Sequence, residues 1–490
     1  MKLKKLIKPL TDAKLVGKGN IEIKGLEYDS RRIKPGMLFA AITGYRLDGK
    51  EFIGEAIRNG AVAILSDREI ECNLPVVIVA SVRKALADLA ACFYDYPGRK
   101  LKVIGVTGTN GKSTTVFLIK KILDFAGIKT GMINSLVYDT TVEQFKAERT
   151  TPDSIEIQYY LHQMEKAGCE YAVIEVSSHA LVLNRVDNID FTVGLYTNFS
   201  RDHLDFHKSM DKYLSAKKLL LGKIAGRSSY AVINQDVPEF VSLIDEYDIF
   251  AISYSPDGHD ADIKIDSPKL SPTISFFNLM IFDDSCEVWF NLPGRYNLAN
   301  AAGAAAAATA IGIDIDIIKN GLELADPILG RYQPVIMGQP FSVVIDYAHT
   351  PDALERLCQS AREITTGRIL TLFGCGGDRD SGKRPLMAEA ASRNSDFVIL
   401  TSDNPRTENP EKIFKETLPG MTGDNYEVVS DRREAIRAII GKAEKNDTVL
   451  IAGKGAEDYQ EIGTTRHPFN DKTEIESALK ALGYKQVKAG

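Results

Sequence analysis

The sequence predicts an α/β protein of three domains with mainly parallel sheets. Segments of strand type alternate with segments of helix type along most of the 490 residues, which is typical of strands connected by helices. The length favours about three domains at roughly 150 residues each. Breaks in the pattern at Pro97-Gly98 and near 327–332 predict three α/β domains, at 1–98, 99–330 and 331–490.

The composition excludes several classes of protein. Sixty basic residues against 66 acidic ones give a net charge of −6, and there is a single Trp, which argues against nucleic-acid and membrane-surface binding. Six cysteines without a C-x-x-C pair indicate neither a disulfide framework nor a zinc module. The basic N-terminus lacks the apolar stretch of a signal peptide, and the Ala-rich run at 298–313 is too short to span a bilayer. We therefore expect a cytoplasmic protein without nucleic-acid partners or membrane insertion.

A phosphate-binding loop is predicted at 108–113. An apolar strand at 101–106 leads into a glycine-rich turn, and a helix at 113–126 follows. Backbone N–H groups and the helix dipole favour phosphate, Lys112 can reach the outer phosphates, and the Ser113 hydroxyl can hold Mg²⁺. Position 106 is Val where the generic P-loop has Gly, so a glycine-rich turn without nucleotide is the alternative.

Two segments downstream suggest a metal or phosphate site. Glu175 lies near the carboxyl end of an apolar strand at 171–178, where open α/β sheets bind ligands. A buried carboxylate needs a cation or hydrogen-bond donors, and a satisfied structural Glu is the alternative. After a second strand at 193–197 come Asp202, His203, Asp205 and His207.

Lys217 is predicted to lie on a buried helix face. At helical spacing it falls inside the apolar stripe of Met210, Tyr213, Leu214, Leu220 and Leu221, whereas Lys218 falls outside it. Desolvation favours a neutral amine, which can add CO₂ and become an anionic metal ligand. The pattern by itself favours the alternative, a lysine whose ammonium reaches solvent.

Together these segments resemble the Mur ligases, the ATP-dependent amino-acid ligases of bacterial peptidoglycan precursor synthesis. The resemblance covers nearly the whole chain, and its segments occur in the family's order at 107–114, 175–179, 198–205, 213–217, 292–300, 330–331 and 346–352. It implies an N-terminal UDP-muramoyl-binding α/β domain, a central P-loop-type ATPase domain with a mainly parallel sheet, and a C-terminal Rossmann-like domain that binds the amino acid.

The C-terminal motifs are similar to those of the family members that add meso-diaminopimelate to UDP-N-acetylmuramoyl-L-alanyl-D-glutamate. They lie at 374–385, 403–406 and 453–455. Diaminopimelate has a second carboxylate that lysine lacks, and Arg binds carboxylates bidentately. Arg406 is the natural partner, with Arg379 nearby. The resemblance implies diaminopimelate contacts at Arg379, Asp403, Asn404, Pro405, Arg406, Gly453 and Glu457.

The resemblance also implies the remaining site residues. The cofactors would be ATP and Mg²⁺, with two sites for Mg²⁺. The catalytic residues would be Lys112, Glu175, His203 and Lys217. Mg²⁺ would be held by Ser113, Glu175, His203 and Lys217 as its N6-carboxylysine. ATP would contact Gly108, Thr109, Asn110, Gly111, Lys112, Ser113, Thr114, Asn297, Asn300, Arg331, Asp346, Tyr347 and His349. The UDP-muramoyl-dipeptide would contact Tyr28, Ser30, Tyr45, Arg46, Leu47, Thr150, Thr151, Ser177, Leu183 and Arg185.

Four positions depart from the family pattern and leave substrate contacts open. They are Arg149, Leu183, Gln333 and Ala456. The implied reaction activates the D-glutamyl carboxylate as an acyl phosphate, which the amine then attacks. The alternatives are lysine addition, a folylpolyglutamate synthase, and a non-catalytic nucleotide-binding relative. All substrates would be small molecules, and the protein is expected to be a monomer.

Overall fold

The computed structural model describes residues 1–44, 48–224, 229–244, 247, 249–272 and 274–485. Tyr45, Arg46 and Leu47, three of the predicted UDP contacts, lie outside these residues. Within the described part of the chain, strands and helices alternate as predicted.

The first stretch of the chain forms a small, mainly parallel sheet flanked by helices. Its elements are α1 (Leu3–Leu6), β1 (Lys14–Val16), β2 (Gly25–Glu27), β3 (Met37–Ala40), α2 (Ile53–Arg58), β4 (Ala63–Ser66), β5 (Val76–Ile78) and α3 (Val82–Phe93). The sheet order is β1-β5-β4-β3-β2, and only β1 runs antiparallel to its neighbour.

The central stretch contains the predicted strand, loop and helix of the phosphate site. Its strands are β6 (Lys102–Thr107), β7 (Thr130–Ile133), β8 (Val137–Asp139), β9 (Gln144–Lys146), β10 (Tyr171–Glu175), β11 (Phe191–Tyr196), β12 (Tyr230–Asn234), β13 (Phe250–Ser255), β14 (Ile263–Leu270), β15 (Ser275–Ile281) and β16 (Asp284–Phe290). Its helices are α4 (Lys112–Phe125), α5 (Ser154–Lys166), α6 (Ser178–Val182), α7 (Leu204–His207), α8 (Met210–Lys218), α9 (Pro238–Ile244), α10 (Arg295–Ala310) and α11 (Ile315–Glu323). Strands β6, β10 and β7 are parallel, whereas β14, β15 and β16 are antiparallel.

The C-terminal stretch forms a doubly covered parallel sheet. Its strands are β17 (Gln333–Pro334), β18 (Ser342–Asp346), β19 (Ile369–Phe373), β20 (Phe397–Leu400), β21 (Tyr426–Val428), β22 (Thr448–Ala452), β23 (Tyr459–Ile462) and β24 (Thr465–Pro468). Its helices are α12 (Pro351–Ile364), α13 (Arg384–Asn394), α14 (Pro410–Thr417), α15 (Arg432–Lys442) and α16 (Asp471–Ala481). The sheet order is β17-β18-β22-β19-β20-β21, with only β17 antiparallel, and β23 and β24 form a separate hairpin.

Helix α12 illustrates how local sequence specifies these elements. Thr350 caps it by accepting a hydrogen bond from the N–H of Ala353, and Pro351 occupies the first turn, where its missing N–H costs nothing. Leu354, Leu357 and Ala361, at helical spacing, are buried in one core with strands β18, β19 and β22. Each buried leucine contributes about 1.5–3 kcal/mol.

The chain folds into two compact units. The first contains Met1–Thr107, Gly127–Leu195 and Ala216–Ala231; the second contains Gly108–Ala126, Tyr196–Ser215 and Val232–Gly490. The domain boundaries predicted at 98/99 and 330/331 stay a prediction.

The six cysteines form no disulfide. Cys375 follows β19 and is buried with its Sγ 3.9 Å from the Met387 sulfur, and burial raises the pKa of its thiol to about 11. Among the described residues, no helix is long and apolar enough to cross a membrane.

Candidate functional site

The phosphate loop has the backbone that its glycines predict. Gly108 and Gly111 have φ angles of +147° and +81°. A Cβ on Gly108 would lie 1.8 Å from Thr197 Oγ1, and one on Gly111 would lie 2.3 Å from Asn300 Oδ1, so neither position tolerates a side chain. The Lys112 ammonium donates to the carbonyl oxygens of Thr109 and Gly108 at 2.7 and 3.2 Å.

Asn198 fixes the shape of the loop. Its backbone oxygen accepts from the N–H of Thr109 at 2.9 Å, and its side-chain oxygen accepts from the N–H of Asn110 at 2.8 Å. Helix α4 begins directly after Gly111, which has no side chain that could cap it. Its N-terminus is therefore aimed at the loop, as anion binding requires.

A cavity of about 130 Å³ adjoins this loop within the second unit. Of the predicted ATP contacts, Asn110, Gly111, Thr114, Asn300, Arg331, Asp346 and Tyr347 line it. Asn297 is instead fully buried behind Asn300: it donates to the Pro293 oxygen at 2.8 Å and accepts from Asn300 at 3.2 Å. Sequence reasoning missed Asn234, Asp236, Tyr254 and Tyr296, which also line the cavity.

Arg331 connects the loop to the C-terminal stretch. Its Nη2 lies 3.3 Å from Ser113 Oγ, and its guanidinium stacks 4.6 Å from the centre of the Tyr347 ring. Asp346 accepts from the N–H of Tyr332 at 2.7 Å. Burial raises the pKa of Asp346, although the Arg331 charge acts in the opposite direction.

The segment after β11 presents a buried carboxylate to several basic groups. Asp202 Oδ2 lies 3.4 Å from His203 Nε2 and 3.9 Å from His349 Nε2, and Asp202 Oδ1 lies 3.7 Å from Lys383 Nζ. His349 Nδ1 lies 2.8 Å from the Tyr347 oxygen. Desolvation, together with the Lys383 charge, lowers the pKa of His349 to about 4, so its ring is neutral near pH 7.

Three of the predicted metal ligands, Ser113, Glu175 and Lys217, are buried, whereas the His203 side chain is 39% exposed, and the four residues occur in both units. In the first unit, Glu175 ends β10 and accepts from the N–H of Ser135 at 3.1 Å, and Lys217 is 1% exposed on α8. This burial confirms the predicted side of the helix. In the second unit, Ser113 begins helix α4, and His203 has a left-handed backbone with φ +56°. The described residues contain no group of three His, Cys, Asp or Glu that could hold a metal without a lysine ligand.

A cavity of about 610 Å³ lies within the first unit. Of the predicted UDP-muramoyl-dipeptide contacts, Tyr28, Ser30, Leu183 and Arg185 line it. Thr151 and Ser177 do not: the Thr151 hydroxyl donates to the Glu175 backbone oxygen at 2.7 Å and accepts from the N–H of Ser177 at 3.0 Å. Thr150 is half-buried beside them and does not line the cavity.

Three arginines make one wall of this cavity basic. Arg83 and Arg149 line it with Arg185. Asp153 pairs with two of them, at 2.8 Å from Arg185 Nε and in contact with Arg149. Burial lowers the pKa of Arg185, and the charges of Arg149 and Arg83 act in the same direction. Three cations around one shared carboxylate favour an anionic ligand at this wall.

The predicted diaminopimelate residues gather at the carboxyl ends of β19, β20 and β22. Asn404 Nδ2 donates to Glu457 Oε2 at 2.8 Å. Arg406 has φ +52°, donates from Nη1 to the Gly377 oxygen at 2.8 Å, and lies with its Nε 3.2 Å from Glu461. Asp403, Pro405 and Gly453 flank this group, and Arg379 is exposed at its edge.

Two further residues complete this group, and sequence reasoning missed them. Lys454 is fully buried and donates to Asn404 Oδ1 at 3.0 Å and Glu457 Oε2 at 2.8 Å. Glu461 donates its N–H to the same Asn404 oxygen at 2.9 Å. Lys454 stands inside the 453–455 motif, which was the available signal, whereas no motif includes Glu461.

Sequence models of one family match three segments of the chain. They are the Mur ligase family, catalytic domain, at 22–94, the Mur ligase middle domain at 106–308, and the Mur ligase, glutamate ligase domain, at 330–455.

Two ligases are similar to this chain over nearly its whole length. The UDP-N-acetylmuramoyl-L-alanyl-D-glutamate–2,6-diaminopimelate ligase of Syntrophomonas wolfei subsp. wolfei is 42% identical over 482 residues, which cover 96% of this chain and 98% of that protein. The ligase of the same name from Clostridium tetani is 40% identical over 489 residues, covering 98% and 100%. A solved structure of a ligase of this name has a TM-score of 0.66 at 32% identity and covers 99% of this chain and 100% of that one.

A more distant structure, MurF of Acinetobacter baumannii, shares the fold with a TM-score of 0.70 at 20% identity, covering 98% of each chain. This chain belongs to the Mur ligase family and has its three-domain α/β fold. The resemblance drawn from the motifs is thereby confirmed.

Proposed function

We propose that this protein uses ATP to join 2,6-diaminopimelate to the D-glutamyl side-chain carboxylate of UDP-N-acetylmuramoyl-L-alanyl-D-glutamate. The observation that carries the proposal is the group formed by Asn404, Arg406 and Glu457 at the carboxyl ends of the C-terminal strands. The Arg406 guanidinium would bind the carboxylate of an amino acid, and the Glu457 carboxylate would bind its ammonium. The names of the two similar ligases agree with this substrate.

The reaction has two steps. A carboxylate forms no amide at neutral pH without activation, so a carboxylate oxygen first attacks the γ-phosphorus of ATP, and ADP leaves. The amine then attacks the acyl carbon of the acyl phosphate, and inorganic phosphate leaves. Positioning and charge neutralisation carry phosphoryl transfer.

The phosphate loop would provide both the positioning and the charge neutralisation. Backbone N–H groups of Gly108–Thr114 and the N-terminus of α4 would surround the β- and γ-phosphates. The Lys112 ammonium, which now contacts the carbonyl oxygens of its own loop, would exchange these for phosphate oxygens. Asn300 and Tyr296 line the neighbouring cavity, which would take the adenosine.

The basic cavity of the first unit would take the UDP-muramoyl end of the other substrate. Its volume of about 610 Å³ is within the range of small-molecule sites. Arg83 and Arg149 add cationic groups to the predicted Arg185, which compensates for the apolar Leu183.

Mg²⁺ remains part of the proposal through its predicted ligands. Ser113 and Glu175 offer the hydroxyl and carboxylate oxygens that suit this ion, and carbamylation would turn the buried Lys217 into a further, anionic oxygen donor. His203 would add the imidazole that the family resemblance implies. The ion would neutralise phosphate charge. We also retain the monomeric state and the cytoplasmic location as predictions.

The decisive experiment measures phosphate release from purified protein with ATP, UDP-muramoyl-dipeptide and a panel of amino acids. We expect release only when the dipeptide substrate and diaminopimelate are both present, and formation of the tripeptide product. A preference for lysine would show that lysine, and not diaminopimelate, is the amino acid added. Absence of phosphate release with every amino acid would favour a non-catalytic relative.

The Lys217→Ala variant tests the carbamate. We expect loss of activity that bicarbonate does not restore, whereas the neighbouring Lys218→Ala variant should retain it because Lys218 lies off the buried stripe. Near-normal turnover of Lys217→Ala would refute the carbamate.

A further inference from the structure

Lys383 is a buried cation to which no role has yet been given. It ends a short 3₁₀ helix at 381–383, immediately before α13, and is 7% exposed. Its nearest carboxylate oxygen, Asp202 Oδ1, is 3.7 Å from Nζ, which is too far for a hydrogen bond. Within the described part of the chain, no acceptor lies within hydrogen-bond distance of this ammonium.

This ammonium has hydrogen-bond donors that the protein leaves unused. An ammonium has three donors and no acceptor, and the Lys383 Nζ atom is not fully enclosed by protein, so it faces open space that a ligand could enter. A lysine with a structural role would be expected to resemble Lys454, which is fully buried and donates to two oxygens at 3.0 and 2.8 Å. Lys383 therefore has capacity for an anionic partner.

The backbone at Lys383 is held by its neighbour in sequence. Arg384 is 1% exposed, donates from Nη2 to Glu408 at 2.8 Å and to the Gly376 oxygen at 3.3 Å, and also contacts Glu416. Because this guanidinium is held on three sides, the backbone at 383 cannot shift without breaking these bonds. A fixed donor costs little reorganisation when charge develops beside it.

Lys383 also stands between two parts of the proposed active site. On one side is Asp202, next to the predicted metal ligand His203. On the other side is the turn that contains Gly376, whose carbonyl oxygen accepts from Arg384. Arg406 packs against this turn, because a Cβ on Gly376 would lie 3.1 Å from Arg406 Nη1. The activated carboxylate and the incoming amine must meet between these groups.

We propose that Lys383 is a catalytic residue of the second step, whose ammonium donates to the acyl oxygen of the acyl phosphate. This rests on the proposed function. As the amine nitrogen bonds to the acyl carbon, the carbonyl π electrons move to that oxygen. When the intermediate collapses, the bond from carbon to the phosphate oxygen breaks, and phosphate leaves with the electron pair. The proton lost by nitrogen goes to the phosphate, which departs as HPO₄²⁻.

A single-turnover rapid-quench experiment tests this, with all substrates present and ADP and tripeptide quantified in the same samples. In Lys383→Met we expect ADP to form within about threefold of the wild-type rate, while tripeptide forms about 10²–10³-fold more slowly, as for the loss of one oxyanion donor. Lys383→Arg should recover at least about tenfold of this loss. The control is Lys415→Met, which removes an exposed lysine of α14 and should match the wild type.

Three results would overturn the role. Tripeptide formation by Lys383→Met within about threefold of the wild type would show that the ammonium is dispensable. Slowing of ADP and tripeptide by the same factor, or failure of Lys383→Arg to recover activity, would indicate a structural role. If Lys383→Met does not fold, the same two rates are compared in Lys383→Gln. Failure of the wild type to form tripeptide would refute the proposed function instead.

Discussion

Replacement of Asp471 by Ala tests the most deeply buried ion pair in the described chain. Arg432 and Asp471 are both 0% exposed at the side chain, and they form two parallel bonds of 2.8 Å. Arg432 also donates to the Ala452 oxygen at the end of β22 at 3.0 Å. The pair thereby joins the first turns of α15 and α16 to the strand that carries the predicted amino-acid site.

The expected loss is large because Asp471→Ala leaves a guanidinium buried without its counter-charge. Removing one partner of such a pair costs about 3–5 kcal/mol. At about 2–4 °C per kcal/mol for a unit of 150–250 residues, the apparent melting temperature should fall by about 6–20 °C. Burial of the arginine raises the cost, and a guanidinium does not lose its proton in proteins, so Arg432 stays charged after Asp471 is removed.

Calorimetry of the full chain measures this, with Glu476→Ala as the control. Glu476 lies on the same helix in a partly exposed pair, 3.9 Å from Lys472, and its loss should change stability by less than about 0.5 kcal/mol. The double variant Arg432→Met with Asp471→Leu should recover most of the loss, because no charge remains buried. A fall of less than about 2 °C in Asp471→Ala would refute the reasoning.

Three further results are expected. Gly111→Ala should lower ATP-dependent activity at least about tenfold while the protein stays folded, because the new Cβ would lie 2.3 Å from Asn300 Oδ1; steady-state kinetics in ATP measure it. Arg406→Lys should raise the KM for diaminopimelate about tenfold and leave the KM for ATP unchanged, since an ammonium cannot reproduce the guanidinium fork. Arg384 lowers the pKa of Glu408 to about 2. In urea unfolding above pH 4.5 the protein should therefore be about 1–2 kcal/mol more stable than Glu408→Gln, and this difference should disappear as the pH falls towards 2.

Each of these has a result that contradicts it. Gly127→Ala is the control for the loop, because Gly127 has a similar φ of +75° but open space around its Cβ position; equal losses in both variants would assign the effect to backbone strain. Equal changes in both KM values would remove the specific role of Arg406. A stability difference for Glu408→Gln that is the same at pH 3 and pH 6 would contradict the lowered pKa.

The sequence predicted the elements that local pattern controls. The strand, glycine loop and helix of the phosphate site follow from residues adjacent in the chain, and the burial of Lys217 follows from helical periodicity. The residues that the family motifs predict for the amino-acid site lie together, because the carboxyl ends of parallel strands meet at one edge of the sheet.

What the sequence could not predict depends on contacts between distant residues. Asn297 and Asn300 share one motif, yet only Asn300 reaches the cavity, because the Asn297 amide bonds to Pro293 inside the core. Arg149 and Arg83 are 66 positions apart by number and both line the cavity of the first unit. No local pattern distinguishes such arginines from solvated ones.

The buried thiol of Cys375 is a natural reporter for the predicted amino-acid site, because it can be labelled without introducing a new residue. A thiol with a pKa near 11 that is 3% exposed reacts with alkylating reagents only after the surrounding segment opens. Cys375 immediately precedes Gly376, in the turn under Arg406. Its labelling rate under native conditions therefore measures the free energy of local opening, and ligands that close the site should slow the labelling in proportion to their occupancy.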